Sequence, residues 1–333
     1  MTGSLADDSD TGGQLVRRRK ICHALSIHPP APAPSRMNNP APVSPADCHF
    51  RVASAADAQS VNQLFAEYLA SLGLTPDAEM DADLMDFPAA YTAPGDTFLV
   101  ASGPDGELRG MGGIRRGELR RVFVRASQRG RGLARALVLR LLQSAIATGQ
   151  TQFHGVIARS NTSIREVDLA CGLLPTGRVP AHPKQRDCEI LAVTRPPDLS
   201  RPVMLLIGGT PAHWRALLTQ FAPQFNILFA WHESEAAAAG LVREQAAAGQ
   251  WSGAIRCDLA RPERLPLLAD VAQTLAGPCR ALLVLPGAET LLPALQSAFA
   301  AQLAAHPAAQ ILRVTDPISP AELSALLSTA AAR

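Results

Sequence analysis

Arg129-Gly130-Arg131-Gly132-Leu133-Ala134 stands between an apolar run and an amphipathic one, and its reading decides the fold. Upstream, Leu119-Arg120-Arg121-Val122-Phe123-Val124 is rich in β-branched and aromatic residues, as a short strand requires. Downstream, residues 133–148 carry Leu133, Leu137, Leu141, Leu142 and Ala145 at helical period. Two glycines at a strand-to-helix turn let the backbone bend sharply and leave its N–H groups uncovered. Those donors lie at a helix N-terminus, where unpaired amides and the helix dipole favour an anion. Arg129 and Arg131 add positive charge, so the turn reads as a pyrophosphate cradle. It has neither the Lys-Ser/Thr of a Walker loop nor a G-x-G-x-x-G followed by an acidic residue.

The spacing Arg129-x-x-Gly132-x-Ala134 resembles the acetyl-CoA loop of the GCN5-related N-acetyltransferases (GNAT). The resemblance runs over about residues 49–195. It includes Glu118 leading into the strand, and Phe87-Pro88-Ala89-Ala90-Tyr91-Thr92-Ala93-Pro94-Gly95, which is similar to a Leu-Pro-Gly-x-Tyr-x-x-Pro segment of one bacterial branch. It implies an α/β fold with a mixed, antiparallel-dominated sheet flanked by helices. Acetyl-CoA is implied as co-substrate, and no metal. Arg129, Gly130, Arg131, Gly132, Leu133 and Ala134 would hold the pyrophosphate. The backbone of Val122, Phe123 and Val124 would hold the pantetheine and, at a bulge, present an amide to the thioester oxygen. Asn161 matches the residue that contacts the pantetheine arm.

Composition bounds the alternatives. A chain of 333 residues accommodates two domains. A net charge of +2 argues against a polyanion-binding surface, so no nucleic acid is expected as partner. No apolar run is long enough to span a bilayer. The six cysteines are scattered without C-x-x-C or His spacing, which fits reduced thiols, a cytoplasmic location and no zinc site. Residues 1–47 are rich in Pro, Ser, Ala and Asp and read as a disordered extension, with Met37 an alternative start.

Residues 48–195 then read as one transferase domain: a strand over 49–53, a helix over 55–72, a segment over 77–91 covering the substrate side, and a hairpin over 98–102 and 109–115. The strand 118–124 and the cradle follow, with a strand over 152–158, a helix over 161–171 closed by Gly172, and a strand over 188–195.

Moving an acetyl group from a thioester to an amine requires a deprotonated amine, a polarised carbonyl and a proton for the leaving thiolate. Glu118 is the candidate base; its plain alternative is a strand-end carboxylate paired with Arg120 or Arg116. Seven residues after Asn161, where the family usually has a Tyr as acid, stands Asp168. An ionised Asp donates no proton; only burial that raises its pKa would make it an acid. The residue type therefore argues that Asp168 is not the acid and that solvent protonates the thiolate; the position is also compatible with a domain that binds acetyl-CoA without turning it over. Tyr91 and His182 are secondary candidates on loops facing the acceptor.

Residues 196–202 form a proline-punctuated linker, and 203–333 change to strict strand–helix alternation. Apolar strands over 203–207, 226–230, 253–257, 281–285 and 310–314 alternate with helices over 211–221, 233–248, 262–276, 289–305 and 320–331. This predicts a parallel sheet covered on both faces. The end of the chain and Asp258-x-x-x-Pro262 resemble a response-regulator receiver, a flavodoxin-like fold. Gly208-Gly209 stands where the acidic pair belongs, Pro286 where a Thr or Ser does, and Asp316 where the Lys does. The domain is therefore expected to lack phosphoryl chemistry and to serve contact or dimerisation, with Asp258 a helix cap and Gly208-Gly209-Thr210 either an anion nest or a plain turn.

Two functions of different class follow: an N-acetyltransferase acting on a small-molecule amine or a protein amino group, or a catalytically silent acetyl-CoA sensor working through its C-terminal half.

Overall fold

The computed structural model describes residues 47–305 and 309–314. The expected extension up to residue 46, the closing helix over 320–331 and Asp316 lie outside the described residues.

The first half builds β1 (His49–Val52), α1 (Ala58–Ser71), α2 (Ala82–Met85), β2 (Thr97–Ser102), β3 (Leu108–Arg115), β4 (Glu118–Val124), α3 (Leu133–Ala147), β5 (Gln152–Ala158), α4 (Thr162–Ala170), β6 (Leu174–Pro175) and β7 (Cys188–Thr194). Seven strands form one sheet in the order β1-β2-β3-β4-β5-β7-β6. Every pair is antiparallel except β4 with β5. On one face, Val61, Leu64, Phe65 and Leu69 of α1 pack with Phe98, Met111 and Phe123. On the other, α3 buries Leu133, Leu137, Leu141 and Leu142, the residues that set its helical period in the sequence.

The second half alternates β8 (Val203–Ile207), α5 (Pro211–Phe221), β9 (Asn226–Trp231), α6 (Glu235–Ala247), β10 (Ser252–Arg256), α7 (Leu265–Ala276), β11 (Cys279–Val284), α8 (Leu292–Ala298), α9 (Ala300–Ala305) and β12 (Gln310–Arg313). The helix expected over 289–305 is broken, with the fully buried Phe299 between α8 and α9. All five strands pair in parallel, as the continuous apolar runs required.

Their order is β10-β9-β8-β11-β12. Counted from β8 this is 3-2-1-4-5, whereas receivers and flavodoxin run 2-1-3-4-5. The same βα alternation serves both orders; only the side on which the third strand joins differs. The observed order separates residues that the likeness to receivers would bring together. Asp258 follows the edge strand β10, two strands away from β8 and the Gly208-Gly209 turn. Residues that would share one pocket in a receiver are here separated by about 10 Å of sheet.

The two sheets share one hydrophobic core. Gly172, in the left-handed region at φ +88°, lies so close to α7 that a Cβ would stand 2.6 Å from Leu275 Cδ1. Polar contacts stitch the same seam: Trp251 Nε1 donates to the Thr194 carbonyl at 3.0 Å, and Arg195 Nε to that of Leu275 at 3.0 Å. Arg165 spans it too, bonding Glu189 at 2.6 Å and Glu235 at 2.9 Å. No helix of the described residues is long and apolar enough to cross a membrane.

Candidate functional site

The parallel pair at the centre of the seven-stranded sheet is brief. β4 and β5 pair only at Glu118↔His154 and Leu119↔Gly155. Each strand keeps its outer partner, β3 or β7, so beyond these two registers their facing edges carry backbone groups with no strand opposite. The cause is visible in β4. Its register against β3 jumps between Met111↔Phe123 and Gly113↔Arg120, leaving Arg121 and Val122 opposite Gly112. Such a bulge bends a strand and increases its twist. Arg121 adopts φ +57°, a conformation that costs a non-glycine residue about 1–2 kcal/mol.

Buried contacts hold Arg121 there. Its guanidinium bonds Asp81 at 2.9 Å, Asp83 at 2.5 Å and the Met80 carbonyl at 2.5 Å, and lies 5.2 Å from the Phe65 ring centroid. Tyr91 donates its hydroxyl to Asp83. Burial pushes the Asp83 carboxyl up, but the Arg121 guanidinium outweighs it and holds the group below its ordinary value. Burial and the adjacent Asp83 charge push the Tyr91 hydroxyl well up. Tyr91 therefore anchors the segment over the cleft and does not face an acceptor, a correction to its candidacy. His182 bonds Glu79 at 3.1 Å on an exposed loop beside Lys184, which pairs with Asp77 at 2.7 Å.

The splayed strands open a cleft of about 360 Å³ that gathers Glu118, Val122, Asn161 and Asp168. Glu118 stands at its closed end, with Oε1 3.9 Å from Arg120 Nε, so the ion pair anticipated for it is present and loose. Asn161 caps α4, its side chain accepting from the Ile164 amide at 3.5 Å, and its position also lines the cleft. Phe123 and Val124 send their side chains into the two cores, leaving only backbone to offer a ligand, and the Val124 carbonyl already accepts from Arg129 Nε at 3.0 Å.

Asp168 is the most informative residue of the cleft. It is 2 % exposed, and its Oδ1 has no hydrogen-bond partner among the described residues. Burial pushes its carboxyl up to about 8. Its backbone is fixed by the close of α4: the Leu173 amide donates to the Asp168 carbonyl at 3.0 Å and the Gly172 amide to that of Leu169 at 3.2 Å, a Schellman motif. The carboxyl reaches β5 where that strand has Gly155; a Cβ there would stand 2.9 Å from Oδ2.

The cradle follows β4 at the end where the strands part. Gly130 and Gly132 take φ +79° and +83°, and Gly132 is the N-cap of α3. Among the described residues, the N–H groups of Gly132, Leu133, Ala134 and Arg135 donate to no backbone carbonyl. Arg129 stacks on Phe123 at 5.5 Å, which fixes the entry to the turn. An unpaired strand edge leading to unpaired helix amides suits an extended ligand with amides at one end and phosphates at the other.

Residues 61–165 match the model of the acetyltransferase (GNAT) family. This part of the chain is a GNAT domain. No curated protein gives a significant match. Solved structures similar to the GNAT domain include an acetyltransferase of Staphylococcus aureus MU50 (13 % identity, 44 % of this chain and 98 % of that chain, TM-score 0.39). A GCN5-related N-acetyltransferase of Kribbella flavida gives 23 % identity over 45 % of this chain and 99 % of that one, with a TM-score of 0.37. Spermidine N-acetyltransferase of Vibrio cholerae, solved with CoA and spermine, gives 13 % identity over 45 % and 96 %, also with a TM-score of 0.37.

The network of Arg121, Asp81, Asp83 and Tyr91 escaped the sequence reading. Complementary charge was written in Asp81-x-Asp83 and Arg120-Arg121, but nothing in a linear pattern couples segments 38 residues apart. In the second half, the Gly208-Gly209 turn packs closely on the residues that follow β11. Cβ atoms there would meet Ala288 Cβ at 2.6 Å and Leu285 Cδ1 at 2.7 Å, so both positions require glycine. Asp258 accepts from the Ala260 amide at 3.0 Å and pairs with Arg261 at 3.3 Å, a local turn contact.

Proposed function

We propose that this protein is an acetyl-CoA-dependent N-acetyltransferase that moves an acetyl group directly to an amine of a small molecule or protein. The observation that carries the reading is the buried Asp168 carboxyl, one oxygen unpartnered among the described residues, lining the cleft between the splayed strands. Acetyl-CoA supplies the activated acetyl group as a thioester. The open edge of β4 would bind its amide-bearing arm, and the first amides of α3 with Arg129 and Arg131 would receive its pyrophosphate. Glu118, at the closed end of the cleft, takes the proton from the incoming amine. An amide at the Arg121–Val122 bulge, held rigid by the ion pairs behind it, polarises the thioester carbonyl. Asp168 holds a proton on its carboxyl at neutral pH and passes it to the departing thiolate.

The alternative, a silent acetyl-CoA sensor, needs no proton donor. A buried, uncompensated carboxyl is a standing cost to the fold, which supports a role in turnover. Release of the CoA thiol, assayed with acetyl-CoA over a panel of primary amines, separates the two. Amine-dependent release is expected. Tight acetyl-CoA binding without thiol release for any amine would leave the sensor.

A further inference from the structure

A second cavity, of about 330 Å³, lies at the seam of the two sheets, walled by α3 and α4 on one side and by the ends of β9 and β10 on the other. Its charge is lopsided. Arg256 is paired with Glu166, and Arg261 with Asp258 at 3.3 Å. Arg135 and Arg264 also line it, and among the described residues no carboxylate lies within ion-pair distance of either. Four guanidinium groups thus face one cavity against two carboxylates, Glu166 and Asp258, and those two are already paired with Arg256 and Arg261.

Arg135 shows the consequence. Its Nε is buried without a hydrogen-bond partner among the described residues. Burial, reinforced by the charge of Arg264, pushes its guanidinium below its ordinary value. Like charges held together in a partly enclosed space are relieved by a bound anion. The cavity also opens beyond the carboxyl ends of β9 and β10, the side on which open parallel sheets take their ligands.

We infer that this seam cavity is a binding site for a phosphate monoester, held between Arg135 of the GNAT domain and Arg264 of the second half. A dianionic phosphate offers oxygen acceptors to both guanidinium forks at once, which a carboxylate or chloride does less well. The volume leaves room for a small organic group behind the phosphate. Two sources share this chemistry. Arg135 lies three residues into α3 from Gly132, about 4.5 Å along the helix axis, so a terminal phosphate on the cradle's own ligand is one. A separate phosphorylated compound is the other. In either case, α4 is the shared wall: Glu166, Val167 and Ala170 face the seam cavity, and Ile164 and Asp168 face the cleft.

The test compares wild type with Arg135→Gln and Arg264→Gln. Thermal unfolding is followed in potassium phosphate and in potassium chloride of equal ionic strength. Phosphate is expected to raise the melting temperature of wild type above the chloride value, and each substitution to remove most of that rise. In chloride, Arg135→Gln should melt no lower than wild type, since it removes an uncompensated charge. Calorimetric titration with acetyl-CoA and with 3′-dephospho-acetyl-CoA then identifies the source. An affinity about tenfold or more lower for the dephospho form, dependent on Arg264, assigns the phosphate to the co-substrate. Equal affinities together with an Arg264-dependent phosphate rise assign it to a separate ligand. The inference is overturned if phosphate stabilises no more than chloride and both cofactor forms bind alike, or if the phosphate rise is unchanged in both variants. The phosphate arm stands whether or not the cleft performs acetyl transfer.

Discussion

Burial pushes the Asp168 carboxyl up, and that has a thermodynamic signature. Its folded pKa of about 8 lies above the ordinary carboxyl value of 3.8, so the folded state binds the proton more tightly than the unfolded chain. The stabilisation is fully present below pH 4 and is lost as pH rises through about 8. Asp168→Asn, neutral at every pH, should flatten that decline by a few kcal/mol (order of magnitude), measured by urea unfolding at pH about 5 and about 8.5. Identical pH slopes in both proteins would show that the carboxyl is not buried in this way. Arg121 carries the opposite logic. Arg121→Ala would leave Asp83, whose side chain is 1 % exposed, with only the longer contact to Arg120 at 3.6 Å, and should cost about 3 kcal/mol. A loss below about 1 kcal/mol in the same unfolding experiment would mean the network is not what holds the bulge. Asp168 stands where the family usually has its acid, and the residue type argues against that role; the burial that favours it depends on Gly155 and on the close of α4, neither of which a linear pattern ties to it.

At the scale of elements, the cradle and the bulge were unequally legible. The strand, the glycine turn and the amphipathic helix from residue 118 to 147 were all readable, because each writes its period or its φ requirement in adjacent residues. The bulge was expected from the resemblance, at Val122–Val124; it falls at Arg121–Val122, held by ion pairs from a segment distant in sequence. Likewise the two-residue β6 and the break between α8 and α9 carry no periodic signal. Gly132→Glu tests the cradle. It places a side chain at φ +83° and a negative charge where the pyrophosphate would sit. Acetyl-CoA should raise the melting temperature of wild type and leave that of the variant unmoved. Equal rises would put the co-substrate elsewhere.

For the whole molecule, the proline-rich joint at 196–202 suggested two independent domains, yet one core runs through both sheets. Strict βα alternation revealed the parallel sheet but not its strand order, since the pattern is the same whichever side the third strand joins. A shared core predicts a single calorimetric transition for the two halves. Gly172→Val, which forces a Cβ against Leu275 and a branched residue to φ +88°, should lower it as one unit. Two separate transitions, with only one moved by the substitution, would show that the halves fold independently.

The proposed acetyl transfer rests on a protonated carboxyl delivering its proton to the leaving thiolate. Its most direct test is amine-dependent CoA release by wild type and Asp168→Asn from pH about 6 to about 9.5, with acetyl-CoA affinity measured alongside. Wild-type activity is expected to fall above pH about 8. The variant is expected to be about a hundredfold or more slower, with unchanged co-substrate affinity and no alkaline fall at that pH. Turnover by Asp168→Asn within about tenfold of wild type, with the same pH profile, would contradict it.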